Sequence, residues 1–322
     1  MKAIQIHATG GFEVLQQVEL AVPTPARGEV LLKVAAIGVN YIENYFRDGR
    51  YKAPLPLTLG MEAAGTVVAL GDEVTGFAVG DRVVSAAVRG AYAEYALAPA
   101  AQVVRVPDAL DLRAAAAAFL QGLTAHYLAY STYPLKADET ALIHAAAGGV
   151  GLLLTQMAHR IGARVIATVS TAEKATLARA AGADEVILYT ETDFVAETRR
   201  LTDGRGVDVV YDSVGKTTFE GSLDCLRPRG LLALFGASSG AVAPLDPILL
   251  NSKGSLYVTR PTLAHYVLTR QELEWRAGDV LGWVADGTLR LRMEHTYALG
   301  EARQALMDIA SRKTTGKLLL MP

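Results

Sequence analysis

A run of small residues in the middle of the chain, 144-HAAAGGVG-151, links an apolar strand pattern to an apolar helical pattern. A glycine-rich turn between a strand and a helix is typical of dinucleotide-binding units, whose fingerprint is G-x-G-x-x-G. Here Ala146 takes the first place of that fingerprint, Gly148 the second and Gly151 the third. The alternative is a glycine turn that only lets a helix pack closely on a strand. The strand–helix–strand pattern on each side favours the cofactor interpretation.

The backbone of this turn carries the predicted chemistry, because glycine adds no side chain. Gly148 would let the chain approach the pyrophosphate of a dinucleotide, and Gly151 would let the following helix pack on the sheet. The amides of Gly149 and Val150, at the positive end of that helix, would then face the phosphates. We therefore predict that Gly148, Gly149 and Val150 bind the cofactor.

The end of the second strand indicates which dinucleotide is bound. A carboxylate about 20 residues after the glycines would accept a hydrogen bond from the 2′-hydroxyl of NAD. That place holds Ser170 and Thr171 instead, with Lys174 in the following helix. Hydroxyl groups and a cation at a helix N-terminus suit a 2′-phosphate, although Glu173 beside Lys174 weakens the case. Thr171 as a helix cap and Lys174 as a solvated side chain are compatible with this interpretation. We predict NADPH as the cofactor.

Strands and helices alternate from about residue 139, which predicts a scaffold for these residues. Such alternation is typical of a parallel sheet covered by helices on both faces. Ligands of such sheets bind at the carboxyl ends of the strands. The predicted strands are 140-TALIHA-145, 164-RVIATVS-170, 185-EVILY-189, 207-VDVVYDSV-214 and 230-GLLALFG-236.

The first 107 or so residues have a different pattern, with short β-branched runs separated by Gly, Pro and Asp turns. Strands followed by strands predict a compact, barrel-like β domain. The last part of the chain is expected to add strands to this domain. We therefore predict an α/β protein in which a β-barrel-type domain, residues 1–124 and 266–322, is interrupted by a doubly wound domain, residues 125–265.

Composition excludes several other classes of protein. Among 322 residues, 31 are Lys or Arg and 33 are Asp or Glu, so charge does not predict nucleic acid or an anionic membrane as the main partner. Cys225 is the single cysteine, which excludes an internal disulfide and a cysteine-based zinc site. The start of the chain does not resemble a signal peptide, and no apolar stretch has the roughly 20 residues of a membrane span. We expect a cytoplasmic protein with no membrane partner.

Six segments of the chain resemble one protein family, the quinone oxidoreductase and ζ-crystallin group of medium-chain dehydrogenases/reductases. They occur in the family's order and extend over almost the whole chain. The resemblance implies a GroES-like catalytic domain split by a Rossmann NADPH-binding domain. It also implies a homodimer and a small electron-poor acceptor such as a quinone. The segments are 38-GVNYIENYFRDGRY-51, 60-GMEAAG-65, 138-DETALIHAAAGGVGLLLTQMAHR-160, 211-YDSVG-215, 233-ALFGASSG-240 and 255-SLYVTRP-261.

The chain departs from the zinc-dependent members of this superfamily. Met61 stands where they carry a histidine ligand, and a thioether is a poor zinc ligand. A cysteine ligand is expected near residue 39, where the chain reads Val39-Asn40-Tyr41. The six histidines show no paired metal-ligand spacing. We expect no metal, and alcohol oxidation is disfavoured because no Lewis acid would stabilise the alkoxide. The reaction that we expect is therefore reduction of an electron-poor acceptor by the reduced nicotinamide.

By resemblance, Asn40, Tyr45 and Tyr51 are the candidate catalytic residues. Tyr51 follows a glycine-containing loop, and its phenol could donate a hydrogen bond or a proton to developing negative charge. The alternative is a tyrosine whose ring only packs on 53-APLPL-57. The remaining cofactor contacts that the family pattern implies are Tyr41, Tyr45, Tyr127, Ser170, Lys174, Tyr189, Ser213, Phe235, Gly236, Ala237, Ser238, Arg260 and Arg312.

The sequence leaves two other functions open. One is the NADPH-dependent reduction of activated C=C bonds in enoyl thioesters or alkenals, for which Arg47, Arg50 and Lys52 could form a basic patch. The other is a binding role, either NADPH-sensitive binding of single-stranded RNA or crystallin-type storage. The near-neutral net charge argues against nucleic acid as the main partner.

Overall fold

The structure, a computed structural model, describes every residue from Met1 to Pro322 and divides the chain into two compact units. We call Met1–Leu123 with Val267–Pro322 the split unit, and Thr124–Tyr266 the central unit. The predicted domain ranges differ from these units by one residue at each boundary.

Sixteen strands and nine α-helices form these units. The strands are β1 (Lys2–Ile6), β2 (Gln16–Glu19), β3 (Glu29–Val39), β4 (Leu57–Thr58), β5 (Ala63–Leu70), β6 (Arg82–Ser85), β7 (Tyr95–Pro99), β8 (Val104–Arg105), β9 (Thr140–Ile143), β10 (Arg164–Val169), β11 (Glu185–Leu188), β12 (Val207–Asp212), β13 (Leu226–Leu234), β14 (Tyr257–Thr259), β15 (His295–Ala298) and β16 (Leu318–Met321). The helices are α1 (Ile42–Arg47), α2 (Leu112–Tyr127), α3 (Gly149–Ile161), α4 (Ala172–Ala180), α5 (Phe194–Leu201), α6 (Phe219–Cys225), α7 (Pro247–Ser252), α8 (Arg270–Ala285) and α9 (Ala302–Ala310).

The split unit contains a seven-stranded sheet in which β15, β16, β3, β5, β6 and β8 are successive neighbours and β7 also pairs with β3. Strands β2, β1 and β4 form a second sheet. The long strand β3 turns Val30, Leu32 and Val34 into the core, as alternation along a strand predicts. A register shift after Val34 in its pairing with β5 moves the pattern by one, so that Ile37 and Val39 are the next core residues.

The last two strands confirm that the end of the chain returns to the first unit. Strand β16 pairs antiparallel with β3, and β15 pairs parallel with β16. This pairing places the end of the chain directly beside residues 37–39 of β3, close to the segment that carries the predicted catalytic residues.

The central unit is a doubly wound sheet of six parallel strands in the order β11-β10-β9-β12-β13-β14. In chain order this is 3-2-1-4-5-6, the arrangement of dinucleotide-binding folds. The central strands are buried on both faces, which explains their continuous apolar runs such as 141–143 and 209–211. The α/β prediction is confirmed. The carboxyl ends of all six strands share one edge, and the strand order reverses between β9 and β12.

Two helical features differ from or extend the sequence pattern. Helix α2 ends in a π-helical turn over Leu128–Thr132, which a 3.6-residue periodicity does not predict. Helix α8 begins after Thr269, which forms a capping box with Glu272. None of the helices combines the length and apolar composition needed to cross a bilayer.

Candidate active site

The glycine turn of the central unit has the geometry that phosphate binding requires. Helix α3 begins at Gly149 after Gly148, whose lack of a side chain leaves the helix end uncapped. A methyl group on Gly151 would lie 2.4 Å from the Ala145 carbonyl oxygen, so glycine is needed for the helix to pack on β9. The amides of Gly149 and Val150 lie in the first turn, where no intrahelical acceptor is available. Uncapped backbone amides at the positive end of a helix are suited to bind a pyrophosphate.

The residues predicted for the adenosine half of the cofactor, with its 2′-phosphate, lie after the ends of two neighbouring strands. Ser170 directly follows β10, and Tyr189 follows β11 with its amide donating to the Val169 carbonyl at 3.2 Å. Thr171 caps α4, since its hydroxyl accepts from the Lys174 amide at 3.3 Å. Tyr189 is 46% exposed, so its ring is accessible to a ligand. The turn after β10 contains no carboxylate, and Glu173 enters only in the first turn of α4.

The residues predicted for the nicotinamide half lie on two loops that are hydrogen-bonded to each other. Phe235 and Gly236 both donate their amides to the Asp212 carbonyl, at 2.8 and 3.3 Å. The Ser238 amide donates to the Ser213 carbonyl at 3.2 Å. A methyl group on Gly236 would lie 2.3 Å from the Ser213 carbonyl oxygen. The structure therefore brings the 213–215 and 235–240 loops into direct contact at the carboxyl edge of the sheet.

Three other predicted contacts have different surroundings. Tyr127 is buried, and its ring stacks on Tyr266 with 4.3 Å between centroids. Arg260 follows β14 and donates to the Leu234 carbonyl at 2.7 Å, beside the loop that contains Phe235. Arg312 follows α9 in a turn with φ of 60°. The cofactor roles of these three side chains stay predictions.

The split unit gathers the predicted tyrosines into one aromatic cluster around α1. The ring of Tyr45 lies 5.4 Å from that of Tyr41 and 5.2 Å from that of Tyr51, centroid to centroid. The Arg50 guanidinium lies 4.3 Å from the Tyr45 ring centroid. Tyr45 is buried and Tyr51 is 40% exposed. The Tyr51 ring also packs edge-on against the Phe46 ring, with 5.6 Å between centroids. Two aromatic contacts therefore fix the position of the Tyr51 ring.

Asn40 is fixed by a buried ion pair that no sequence motif indicates. Lys317 lies 2.5 Å from Glu62, and both side chains are almost fully buried. The Asn40 amide nitrogen donates to Glu62 at 2.9 Å and to the Gly38 carbonyl at 3.2 Å. The Asn40 amide oxygen accepts from Lys317 at 2.7 Å and from Gln121 at 3.3 Å. The side chain of Asn40 therefore uses both donor and both acceptor positions inside the split unit.

The backbone around this ion pair is adapted to it. The second oxygen of Glu62 accepts from the Leu120 amide at 2.6 Å. A methyl group on Gly38 would lie 1.9 Å from a Glu62 carboxylate oxygen and 2.8 Å from the Lys317 nitrogen, so a side chain there would displace the pair. The only sequence signals were single charges within otherwise apolar strand segments, 60-GMEAAG-65 and 317-KLLLMP-322.

Glu43 is a second buried carboxyl group next to this cluster. One of its oxygens accepts from the Asn40 backbone amide at 2.8 Å, and the other is buried without a hydrogen-bond partner. Burial raises the pKa of Glu43 to about 8, against the opposing charge of Lys317. Glu43 is therefore protonated at neutral pH. The buried oxygen that has no hydrogen-bond partner then belongs to a neutral carboxyl group and not to a carboxylate.

The fold and these sites define a class: the two-unit dehydrogenases and reductases that join a GroES-like β unit to a dinucleotide-binding sheet. Residues 26–108 match the family model described as "Alcohol dehydrogenase GroES-like domain". Residues 149–275 match the one described as "Zinc-binding dehydrogenase".

Relatives of known name are similar over the full length. A quinone oxidoreductase of Pseudomonas aeruginosa is 47% identical over 100% of this chain and 99% of its own. The crystal structure of Escherichia coli quinone oxidoreductase complexed with NADPH is 46% identical, covers 100% of both chains and has a TM-score of 0.98. A 2-haloacrylate reductase from a Burkholderia species is 41% identical over 99% of this chain and 98% of its own. The chain belongs to the quinone oxidoreductase family.

The zinc named in one family description does not fit the residues of this chain. Glu62 is the carboxylate adjacent to Met61 in sequence, and three protein donors already occupy its oxygens. The Lys317 ammonium group supplies the local positive charge and would repel a divalent cation. Met61 is a poor zinc ligand, and no group of three or more His, Cys, Asp or Glu side chains is arranged to hold a metal ion.

Lys317→Met should lower the free energy of unfolding by about 3–5 kcal/mol, because Glu62 is then left as a buried, uncompensated charge. Adding Glu62→Gln should recover most of this loss, since the amide is neutral and still accepts from the Leu120 amide. Urea unfolding of the single and double variants measures both effects. Lys33→Met, which removes an exposed lysine from β3, is the matched control. A double variant no more stable than Lys317→Met would contradict the assignment.

Glu43→Gln should flatten the pH dependence of stability. Unfolded Glu43 loses its proton near its ordinary pKa of 4.5, whereas the folded protein retains it up to about pH 8. Unfolding between these values releases a proton, so wild-type stability falls as pH rises, by up to about 1.4 kcal/mol per pH unit relative to the variant. Urea unfolding from pH 5 to 8 tests this, with Glu191→Gln as an exposed control. Parallel curves for wild type and Glu43→Gln would disprove the raised pKa.

Proposed function

We propose that this chain is an NADPH-dependent quinone oxidoreductase that works without zinc. The observation that carries the proposal is the full-length similarity to quinone oxidoreductases, one of them solved with NADPH. The glycine turn, the strand order and the lack of a carboxylate after β10 all agree with that cofactor.

The central unit is proposed to hold the cofactor along the carboxyl edge of its sheet. Gly148, Gly149 and Val150 would bind the pyrophosphate through the backbone. Ser170 and Lys174 would bind the 2′-phosphate, with Tyr189 along the adenosine. The residues of the two connected loops would bind the nicotinamide half: Ser213, Phe235, Gly236, Ala237 and Ser238. Tyr41, Tyr45, Tyr127, Arg260 and Arg312 complete the proposed cofactor contacts.

The chemistry requires little from the protein beyond positioning and protonation. When bound, NADPH supplies a hydride equivalent, and a quinone needs one further proton to become a hydroquinone. We propose that Tyr51, whose ring is accessible, donates a hydrogen bond or this proton, while water is the alternative source. Tyr45 anchors the aromatic cluster. Asn40 has no remaining hydrogen-bonding position, so its proposed contribution is the fixed shape of the site wall.

Reduction of an activated C=C bond is the second candidate, and similarity to 2-haloacrylate reductase favours it for small acceptors. A thioester carrier is disfavoured by the contacts of the predicted basic patch. Arg47 is buried, donates to the Gly10 carbonyl and packs on the Phe12 ring. Arg50 is paired with Asp48 at 2.6 Å, which raises the pKa of Arg50. Two of the three cations thus already have partners within the split unit.

The proposal also includes a cytoplasmic homodimer that binds neither membrane nor nucleic acid as its main partner. The family resemblance supports the dimer. Strand β14 lies at the edge of the central sheet with Tyr257 61% exposed, so one edge of this sheet is available for pairing.

Parallel measurements of NADPH oxidation identify the class of acceptor. The compounds to be tested are 1,4-naphthoquinone, 9,10-phenanthrenequinone, a crotonyl thioester and an alkenal. We expect the two quinones to be reduced fastest, and 1,10-phenanthroline to leave the rates unchanged because no metal takes part. If only the thioester is consumed, the quinone proposal is wrong. Binding of NADPH without any turnover would favour the binding role instead.

Lys174→Ala should raise the KM for NADPH by about 10- to 100-fold and leave the KM for NADH nearly unchanged, because a charge-assisted contact of roughly 1.5–3 kcal/mol to the 2′-phosphate is lost. Steady-state kinetics with both cofactors measure the ratio. Lys136→Ala, an exposed lysine before β9 in the same unit, is the control. Equal effects on the two cofactors would refute the assigned 2′-phosphate pocket.

A further inference from the structure

A buried histidine lies directly before the glycine turn. His144 is 2% exposed, and its two ring nitrogens contact hydroxyl groups on either side. Nδ1 lies 2.8 Å from the hydroxyl of Thr168 on β10, and Nε2 lies 3.1 Å from the hydroxyl of Ser222 on α6. The ring also packs edge-on against Phe194 at 5.0 Å. His144 therefore connects two strands and a helix below the proposed cofactor site.

The hydrogen bonds of this group have one direction. The Ser222 hydroxyl donates to the Asp212 carboxylate at 3.0 Å, so its oxygen is left to accept from His144 Nε2. Burial lowers the pKa of His144, so the ring is neutral at pH 7 and Nδ1 accepts from Thr168. Each group therefore donates to the next: Thr168 to His144, His144 to Ser222, and Ser222 to the Asp212 carboxylate.

Asp212 links this chain of hydrogen bonds to the 213–215 and 235–240 loops. One carboxylate oxygen accepts from the amides of Val214 and Gly215, at 2.7 and 3.0 Å. The other accepts from the hydroxyls of Thr218 and Ser222, at 2.7 and 3.0 Å. The main-chain carbonyl of Asp212 accepts from the amides of Phe235 and Gly236. One residue therefore fixes the start of both loops that carry the proposed nicotinamide contacts.

The position of this chain in the sheet gives it a functional meaning. His144 follows β9 and Asp212 ends β12, the two strands between which the strand order reverses. Ligands of doubly wound sheets bind at this point. The proposed adenosine contacts, Ser170 and Tyr189, follow β10 and β11 on the other side of β9. The hydrogen-bond chain thus supports one half of the proposed cofactor site more directly than the other.

We propose that His144 is a positioning residue that acts through Ser222 and Asp212 to hold the 213–215 and 235–240 loops in the shape that binds the nicotinamide half of NADPH. The inference rests on the proposed function and deepens it by separating the supports of the two cofactor halves. A purely structural histidine would instead affect the whole central unit, and both halves of the cofactor, equally.

Ser222→Ala tests this with little change in volume. We expect its affinity for NADPH to fall about tenfold, the effect of one lost hydrogen bond near a buried carboxylate. Its affinity for adenosine 2′,5′-bisphosphate, which lacks the nicotinamide half, should change less than about twofold, because the amides of the glycine turn and Lys174 remain in place. Calorimetry with both ligands measures the ratio. Thr155→Val, which removes a buried hydroxyl of α3 that has no partner, is the matched control.

Two variants of His144 provide an independent comparison. His144→Leu removes both polar contacts and should show the same selective loss as Ser222→Ala. His144→Gln retains a terminal amide that can donate to Ser222 and should recover part of the NADPH affinity. Equal losses for both ligands, or unchanged NADPH affinity in Ser222→Ala, would overturn the positioning role. Wild-type protein that fails to bind NADPH at all would instead refute the proposed function.

Discussion

A carboxylate removed from water is costly unless donors surround it, and each unit of this protein has such a carboxylate beside the residues proposed for its site. In the split unit, Glu62 accepts from a lysine, an asparagine and a backbone amide. In the central unit, Asp212 accepts from two backbone amides and two hydroxyls. Each carboxylate draws separate segments of chain to one point. Those segments carry the residues assigned to the acceptor in one unit and to the cofactor in the other.

The central unit could be predicted in detail because its signals are local. The strand, glycine turn and helix around Gly148 occupy adjacent positions, and alternating strands and helices leave few possible topologies. Even there, the directional network around His144 could not be predicted. Its members, from Thr168 to Ser222, come from different elements. The sequence also does not distinguish a histidine that only packs in the core from one that positions other residues.

The split unit was predicted less completely, because its site depends on contacts between distant residues. Glu62 and Lys317 are 255 positions apart, and neither stands in a motif that indicates a partner. The three cations near the tyrosines show the same limitation. Arg47, Arg50 and Lys52 look like an accessible basic patch in sequence, but the folded chain buries the first and pairs the second. Local charge predicts an available charge only where no partner has been brought to it by the fold.

The distance in sequence between Glu62 and Lys317 also orders events during synthesis. At typical translation rates of roughly 5–20 residues per second, Lys317 emerges tens of seconds after Glu62. The whole central unit is made in the interval, and its contacts lie within a continuous stretch of chain. The central unit can therefore fold before Lys317 is available to pair with Glu62. Until then Glu62 has no cation to pair with, and strand β3 has no β16 beside it, so this part of the split unit reaches its final packing only when the end of the chain arrives.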